Sequence, residues 1–484
     1  MNLVLVIIDT LRYDYISANG NDWIQTPNMD RLASRSWVFD YSFNNAYPTI
    51  PHRNDVITGR YGRPFHKWGP LPFDVVTLPR VLAEAGYATQ LIHDTPHMAN
   101  GATHFDAPFH AWSFIRGAEV DRPWIDARSE WPENWTRDPT YDFVSDHELM
   151  DNHVIPTYAR ANRKRKQHED WNAAQLFLTA AEFLEDNATR DNFFLWIDCF
   201  DPHEPWDTPP EFMKLYDRRE GYDGRLDPRS FVGRNAPHLD EETCRHIAAQ
   251  YAAKVSWVDH WFGRFLDALE ATGLDRNTAI LLTADHGTNV GERGRFGKGY
   301  PVREQEAHTP FMVCVPGGGS GRSDLLVQPQ DVFATLLRIA NVPMPAGEGF
   351  GSYDVLSLAQ QGQRTPRDLV VASRSAQQWS SNQEGILYTA FDREWYLECA
   401  LKPEDCLLTR MGTLENVQQD HPDIVETMRA EALDEMERRG TDPKLMAWLC
   451  SEGDLPFPTD ARLSDFCPEP EGWGYVRNLY PGNE

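Results

Sequence analysis

The chain opens Leu3-Val4-Leu5-Val6-Ile7-Ile8-Asp9-Thr10. Side chains along a strand alternate between its two faces, so an unbroken aliphatic run needs apolar cover on both. A strand of that kind belongs in the middle of a sheet wrapped by helices. It stops at an acid, and ligands of open α/β sheets collect at the C-terminal ends of the strands. Asp9 and Thr10 therefore stand where a site would form.

Moving outward, the same rhythm returns. Thr26-Pro27-Asn28-Met29-Asp30-Arg31-Leu32-Ala33 reads as a helix start, with Thr26 as cap and Pro27 in the first turn. Leu78 to Ala85 predicts a short helix stopped at Gly86, followed by a strand from Tyr87 to Ile92. From about 95 to 170 the pattern is lost in a stretch rich in Trp, Asp and Pro, including Trp112, Trp124, Trp131 and Trp135. A long irregular stretch of this kind reads as an insert or lid. Arg163 to Lys166 reads as an exposed helix face.

A helix over 171–185 then leads to the strand Phe193 to Asp198 and the segment Asp201-Pro202-His203-Glu204-Pro205. A long amphipathic helix carries Tyr251, Val255, Val258, Phe262, Phe265 and Leu269 on one stripe. The strand Thr278 to Thr283 runs into Ala284-Asp285-His286-Gly287, and Pro310 to Pro316 is one further buried strand before a helix over 331–339. This alternation predicts an α/β domain over 1–370, with a large, mostly parallel mixed sheet sandwiched by helices. Residues 371–484 form a smaller C-terminal α+β domain. It holds an antiparallel hairpin about Asp392-Arg393, a helix over 422–438 and an aromatic tail.

The chain has 484 residues, 41% of them hydrophobic and 25% charged, as in ordinary folded proteins. A net charge of −27 sets a repulsive field against nucleic acid and anionic membranes. An anionic substrate then needs a locally positive pocket. The opening apolar run is short and ends in an acid, unlike a secretory signal, and no later stretch reaches membrane-span length. Seven scattered cysteines fit a reducing compartment, so a cytoplasmic location is expected. The oligomeric state is open, with a homo-oligomer allowed.

The residues with the most chemistry lie in Tyr47-Pro48-Thr49-Ile50-Pro51-His52-Arg53, ahead of an apolar turn closed by Thr58-Gly59. Three strands end in acids or histidines: Asp9, Asp201 with His203, and Asp285 with His286. Carboxylates gathered at one edge repel unless a cation lies between them. The inference is one divalent metal held by Asp9, Asp285 and His286, with Thr49 completing the shell. The donor set suits Mg, Ca, Mn or Zn. A threonine hydroxyl is a poor nucleophile at neutral pH, and metal coordination is one remedy. Arg53 is expected to hold the alkoxide and the anion under attack. Lys298, in Phe296-Gly297-Lys298-Gly299, brings a second cation, and His203 is a candidate acid for the leaving oxygen. His308, before Thr309-Pro310, is a candidate for a structural role or for a second metal with Asp201.

The chain resembles the sulfatase family of the alkaline-phosphatase-like superfamily. The resemblance runs through Ile8-Asp9-Thr10-Leu11-Arg12, Thr26 to Leu32, Thr49-Ile50-Pro51-His52-Arg53 with Thr58-Gly59-Arg60, and Gly86-Tyr87-Ala88-Thr89. It continues through Asp201 to Pro205, Asp285-His286-Gly287, Gly297-Lys298, Glu415-Asn416-Val417 and His421-Pro422. It implies a large α/β domain with a smaller C-terminal one, a divalent metal at the nucleophile, and cleavage of sulfate or phosphate esters. Asp94, His97 and His308 are further substrate-binding candidates.

Four departures shape the expectation. Thr49 stands where the family has the cysteine or serine converted to formylglycine, so no formylglycine is expected. Thr10 replaces a second acid, His52 replaces a serine, and His93-Asp94 stand where many sulfatases carry Gly-Lys. Threonine is the nucleophile of related phosphodiesterases and phosphoethanolamine transferases. The expected substrate is a small anionic ester of sulfate, phosphate or phosphonate. The alternatives are a non-catalytic homologue that binds an anion and a superfamily phosphotransferase or mutase.

Overall fold

The computed structural model describes residues 1–99, 103–123, 154–217, 240–347, 350–381 and 385–463. The opening run forms strand β1 (Asn2–Ile8), every residue of it buried. It pairs in parallel with β5 (Phe193–Cys199) on one side and β6 (Thr278–Thr283) on the other. The sheet also contains β2 (Trp37–Ser42), β3 (Ala88–His93), β4 (Ala111–Phe114), β9 (Phe311–Cys314) and β10 (Gly321–Val327). Its order is β10-β2-β9-β6-β1-β5-β3-β4, and β9 runs antiparallel to both neighbours.

Alternation along β1 divides the core into two layers. Val4, Val6 and Ile8 face the helices Pro27–Ala33, Asn172–Asp186 and Glu241–Ala271. Leu3, Leu5 and Ile7 face the helices Thr49–Thr58, Leu78–Glu84 and Asp331–Ile339. Each such buried aliphatic side chain contributes roughly 1.5–3 kcal/mol, so the run that nucleates the reading is also a principal source of stability. The expected mixed sheet between two helical layers is the observed architecture.

Local details differ from expectation where tertiary contacts intervene. The Thr26 hydroxyl does not cap its helix and accepts the Ser17 N–H instead. The N–H groups of Asn28 and Met29 are met by the Asp259 carboxylate of the long helix. The stretch after Pro48 is a full ten-residue helix rather than an apolar turn, and all of its side chains are buried. Gly59 ends it at φ 65°, where a Cβ would lie 2.6 Å from Phe333. Both the left-handed backbone and the close approach require glycine there.

Part of the irregular 95–170 stretch is ordered as β4, which adds an edge strand with Trp112 half exposed. Trp124, Trp131 and Trp135 lie outside the described residues.

A second sheet, β11 (Val370–Ala372), β12 (Ile386–Phe391), β13 (Trp395–Ala400) and β14 (Leu407–Arg410), is antiparallel and covered by the helix Pro422–Arg438. The hairpin about Asp392-Arg393 is present as β12–β13. This sheet meets the first domain at the segment before Thr49. Ala46 bridges Ser373, with Tyr47 N–H donating to Ser373 O and Ser373 N–H to Asn45 O. Glu398 of β13 is fully buried against Arg303 and Arg293. Among the described residues no helix is long and apolar enough to cross a membrane.

Candidate active site

The ends of β1, β5 and β6 lie side by side, so the residues following them share one edge of the sheet. Asp9, Asp285 and His286 are fully buried, and their ligand-type atoms lie within 4.8 Å of one another. Thr10 locks the two carboxylates. Its hydroxyl donates to Asp9 at 2.7 Å and its N–H to Asp285 at 3.0 Å. It does so at φ 63°, an unusual backbone for a β-branched residue. A position that sequence reasoning treated as a lost acid is thus the clamp on the two acids that remain.

Arg53 sits one turn into the helix that begins at Thr49 and is wholly buried. Its Nε and Nη2 form a fork on Asp198, at 2.9 and 2.7 Å. Nη1 donates to Asp285 at 2.7 Å and to the Thr49 carbonyl at 3.0 Å, and Nη2 reaches Asp9 at 3.2 Å. A guanidinium has five N–H donors, and all five are used within the protein. Arg53 therefore joins the first turn of its helix to three carboxylates and keeps no donor for a substrate oxyanion, contrary to the sequence expectation.

The third acid of the edge is Asp198, within β5, rather than Asp201. Thr95 and the Trp196 indole N–H also donate to it. Its signal was the acid closing the run Phe193 to Asp198. Asp201 instead pairs with buried Lys254 of the long helix at 2.9 Å.

Two features show that the cluster suits a divalent cation. His286 Nδ1 lies 2.9 Å from the Gly287 carbonyl and so carries the proton, while Nε2 is buried without a hydrogen-bond partner, 3.6 Å from the Asp285 carboxylate. Burial also pushes this imidazole down to about 4, keeping it neutral. A neutral ring with a bare, buried nitrogen is the form that ligates a metal. Burial, then the Asp285 charge, pushes the Asp9 carboxyl well above its ordinary range. Two carboxylates this close favour a proton between them unless a cation replaces it.

A second group closes over this one. Lys298, after the short ladder of β7 (Asn289–Val290) and β8 (Phe296–Gly297), donates to Glu204 at 2.6 Å. Burial works against its charge, but Glu204 and then Asp9 outweigh it and raise the ammonium above its usual value. His203 Nδ1 lies 2.8 Å from the Glu204 carbonyl, and Nε2 is 4.0 Å from Glu119. Burial, then Lys298, holds His203 well below its ordinary value. Glu119 also bonds His97 at 2.8 Å. Glu204 and Glu119 were not singled out from sequence. The first was visible in Asp201 to Pro205, whereas the second had no signal inside the irregular stretch.

Two further candidates lie elsewhere. Asp94 is buried and accepts the Phe200 N–H at 2.6 Å. His308 is stacked on Tyr13, with centroids 4.1 Å apart, and bonds the Asp40 carbonyl at 2.8 Å. His97 remains beside the site through Glu119.

Buried acids and an imidazole at the strand ends of a helix-covered sheet, with a hydroxyl-bearing helix tied to them, define an α/β protein with a candidate metal-ligating cluster at the sheet edge. The family model described as "Sulfatase" matches residues 1–342, and the chain belongs to the sulfatase family, whose members are metal-dependent ester hydrolases. An arylsulfatase of Clostridium perfringens is 27% identical over 412 residues, 77% of this chain and 81% of that protein. Iduronate 2-sulfatase of Mus musculus is 26% identical over 426 residues, 76% of this chain and 74% of the relative. The fold is shared with a phosphonate monoester hydrolase of Agrobacterium radiobacter, at TM-score 0.67 and 18% identity, over 90% of this chain and 95% of that one.

Proposed function

We propose that this protein is a metal-dependent hydrolase that cleaves a sulfate, phosphate or phosphonate ester with Thr49 as nucleophile. The observation that carries the reading is the buried Asp9–Asp285–His286 cluster, joined through Arg53 to the first residue of the Thr49–Thr58 helix. Asp9, Asp285 and His286 would hold one divalent ion, Ca, Mg, Mn or Zn, with the Thr49 hydroxyl beside it. Such an ion supplies charge that lowers the pKa of an adjacent hydroxyl and polarises an ester oxygen.

The remaining work falls to the chain. Arg53 fixes the carboxylates and the start of the helix, so that Thr49 is presented without reorganisation. Lys298 supplies positive charge for the anionic ester, moderated by Glu204. The bond from Thr49 Oγ1 to the central atom forms as the bond to the leaving oxygen breaks. His203, neutral in the free protein, takes up the Thr49 hydroxyl proton as that bond forms and passes it to the departing oxygen, while Glu119 and the Glu204 carbonyl favour its transient charge. Water then displaces Thr49 from the central atom, and its proton passes through His203 to the departing Thr49 oxygen, which restores the hydroxyl. Threonine cannot follow the formylglycine route, and the phosphonate monoester hydrolase fold neighbour supports including phosphorus esters among the substrates.

The test is an assay of the purified protein with each of the four metals against aryl sulfate, phosphodiester and phosphonate monoester substrates. Turnover of at least one is expected, falling by roughly a thousandfold or more in Thr49→Ala. Full activity in Thr49→Ala, or none on any substrate with any metal, rejects the reading.

A further inference from the structure

Arg53 keeps no donor for an anion, and Lys298 is held by Glu204. Another guanidinium lies beside the site, on a residue of the C-terminal domain. Arg374 directly follows Ser373, which bridges Ala46 in parallel and accepts the Tyr47 N–H on its carbonyl. Arg374 thus stands level with Tyr47, two residues before Thr49, and neighbouring paired segments run about 5 Å apart.

The Arg374 guanidinium lies over two rings, with Cζ 5.4 Å from the centre of Tyr47 and 5.9 Å from that of Tyr300. Both rings are tied at their hydroxyls, Tyr47 to Glu306 at 3.3 Å and Tyr300 to the Leu387 carbonyl. Tyr47 also packs against His286, with centroids 5.0 Å apart. One ring therefore borders both the guanidinium and a candidate metal ligand. The charges of Arg374 and Glu204 both act on the Tyr47 hydroxyl, so the carboxylate that holds Lys298 is close by as well.

Other buried arginines of the chain spend their donors on acids. Arg53 forks on Asp198, Arg303 on Glu398 and Arg367 on Asp331. Arg374 is partly buried, yet it makes no hydrogen bond or ion pair with the described residues, and its Nε is buried without a partner. Ring contacts engage the face of a guanidinium and leave its edge of N–H donors unspent. Donors withdrawn from water and left unused are costly, and an arriving anion removes that cost.

We propose that Arg374 binds the ester under attack and takes its non-bridging oxygens, the role that Arg53 is too fully engaged to fill. The inference rests on the proposed function for the identity of the anion. A planar fork matches two oxygens of a tetrahedral group, and the two anchored rings hold the fork in place before the anion arrives.

The experiment is calorimetric titration of the whole protein, loaded with each of the four metals, with orthophosphate as the probe. It is repeated in Thr49→Ala, where binding is read without turnover. Saturable binding is expected, weakened at least tenfold in Arg374→Gln and at least threefold in Arg374→Lys, which keeps the charge over the rings and loses the fork. Metal content by elemental analysis should stay unchanged in both. This result supports the proposal even if no ester is cleaved, an outcome that would reject the proposed function alone. Phosphate binding that stays within twofold in Arg374→Gln overturns it and assigns the residue to packing of the two rings. Loss of metal together with phosphate also overturns it, as does the absence of binding to the unaltered protein at millimolar phosphate. Should Arg374→Gln fail to melt cooperatively, the Arg374→Lys result decides by the same criteria, with its threefold threshold.

Discussion

Two buried acidic groups lie a few residues apart on the same sheet edge and have opposite fates. Around Arg53, three carboxylates, Asp9, Asp198 and Asp285, share one guanidinium and stand beside a neutral His286 with a bare nitrogen. Around Lys254, Asp201 pairs with the ammonium at 2.9 Å, and Arg165 pairs with Asp207 at 3.2 Å. Asp94 nearby is pushed well above its ordinary range by burial and the Asp201 charge, so its charged form is disfavoured. The second group is close to neutral by itself, whereas the first gathers three carboxylates on one guanidinium beside an imidazole. On the proposed function, that difference in charge balance is what separates a metal site from a structural ion pair.

Asp285→Ala should break the first group most severely. Metal content by elemental analysis should fall to background and turnover by roughly a thousandfold or more. Asp201→Ala should leave metal content intact and instead strand a buried ammonium. The expected cost is about 3–5 kcal/mol in chemical denaturation. If Asp201→Ala also empties the metal site, the two groups are one.

His308 lies outside both and sharpens the contrast, because it is neutral chiefly through burial, which outweighs the Asp40 carbonyl and the Asp14 charge. Its imidazole is pushed from 6.5 to about 4. Below the ordinary value the unfolded chain takes up a proton that the folded ring refuses. The stabilisation is therefore whole above pH 6.5 and is lost as pH falls towards 4, about 3 kcal/mol in all. His308→Phe should keep the stacking on Tyr13 and reduce that slope, read from denaturation midpoints across the interval. A smaller effect is expected for Arg53→Lys, which keeps the charge and loses the fork on Asp198. Metal affinity should weaken by roughly 10–100-fold, with turnover following it.

The fold was legible because its decisive signals are local. Leu3 to Ile8 and Thr278 to Thr283 need cover on both faces whatever surrounds them, and the stripe from Tyr251 to Leu269 needs a sheet to lie on. Asp9, Asp285 and His286 were legible for a related reason: each directly follows or closely trails such a strand. What escaped depends on partners that approach from elsewhere. Nothing near Asp201 announces Lys254, and nothing near Arg53 announces that Asp198 will take its fork. Glu119 lies in a stretch without periodicity. Thr10 was read by its lost charge, while its contribution comes from backbone conformation, which composition does not record.

The bridge between Ala46 and Ser373 has a consequence for the order in which the protein is built. The segment that delivers Thr49 leaves the ribosome more than three hundred residues before its hydrogen-bonding partner. Contacts this distant in sequence form late. A nascent chain that has completed the central sheet and all of its acids still lacks the segment that holds the approach to Thr49, so completion of the candidate site waits on the C-terminal domain.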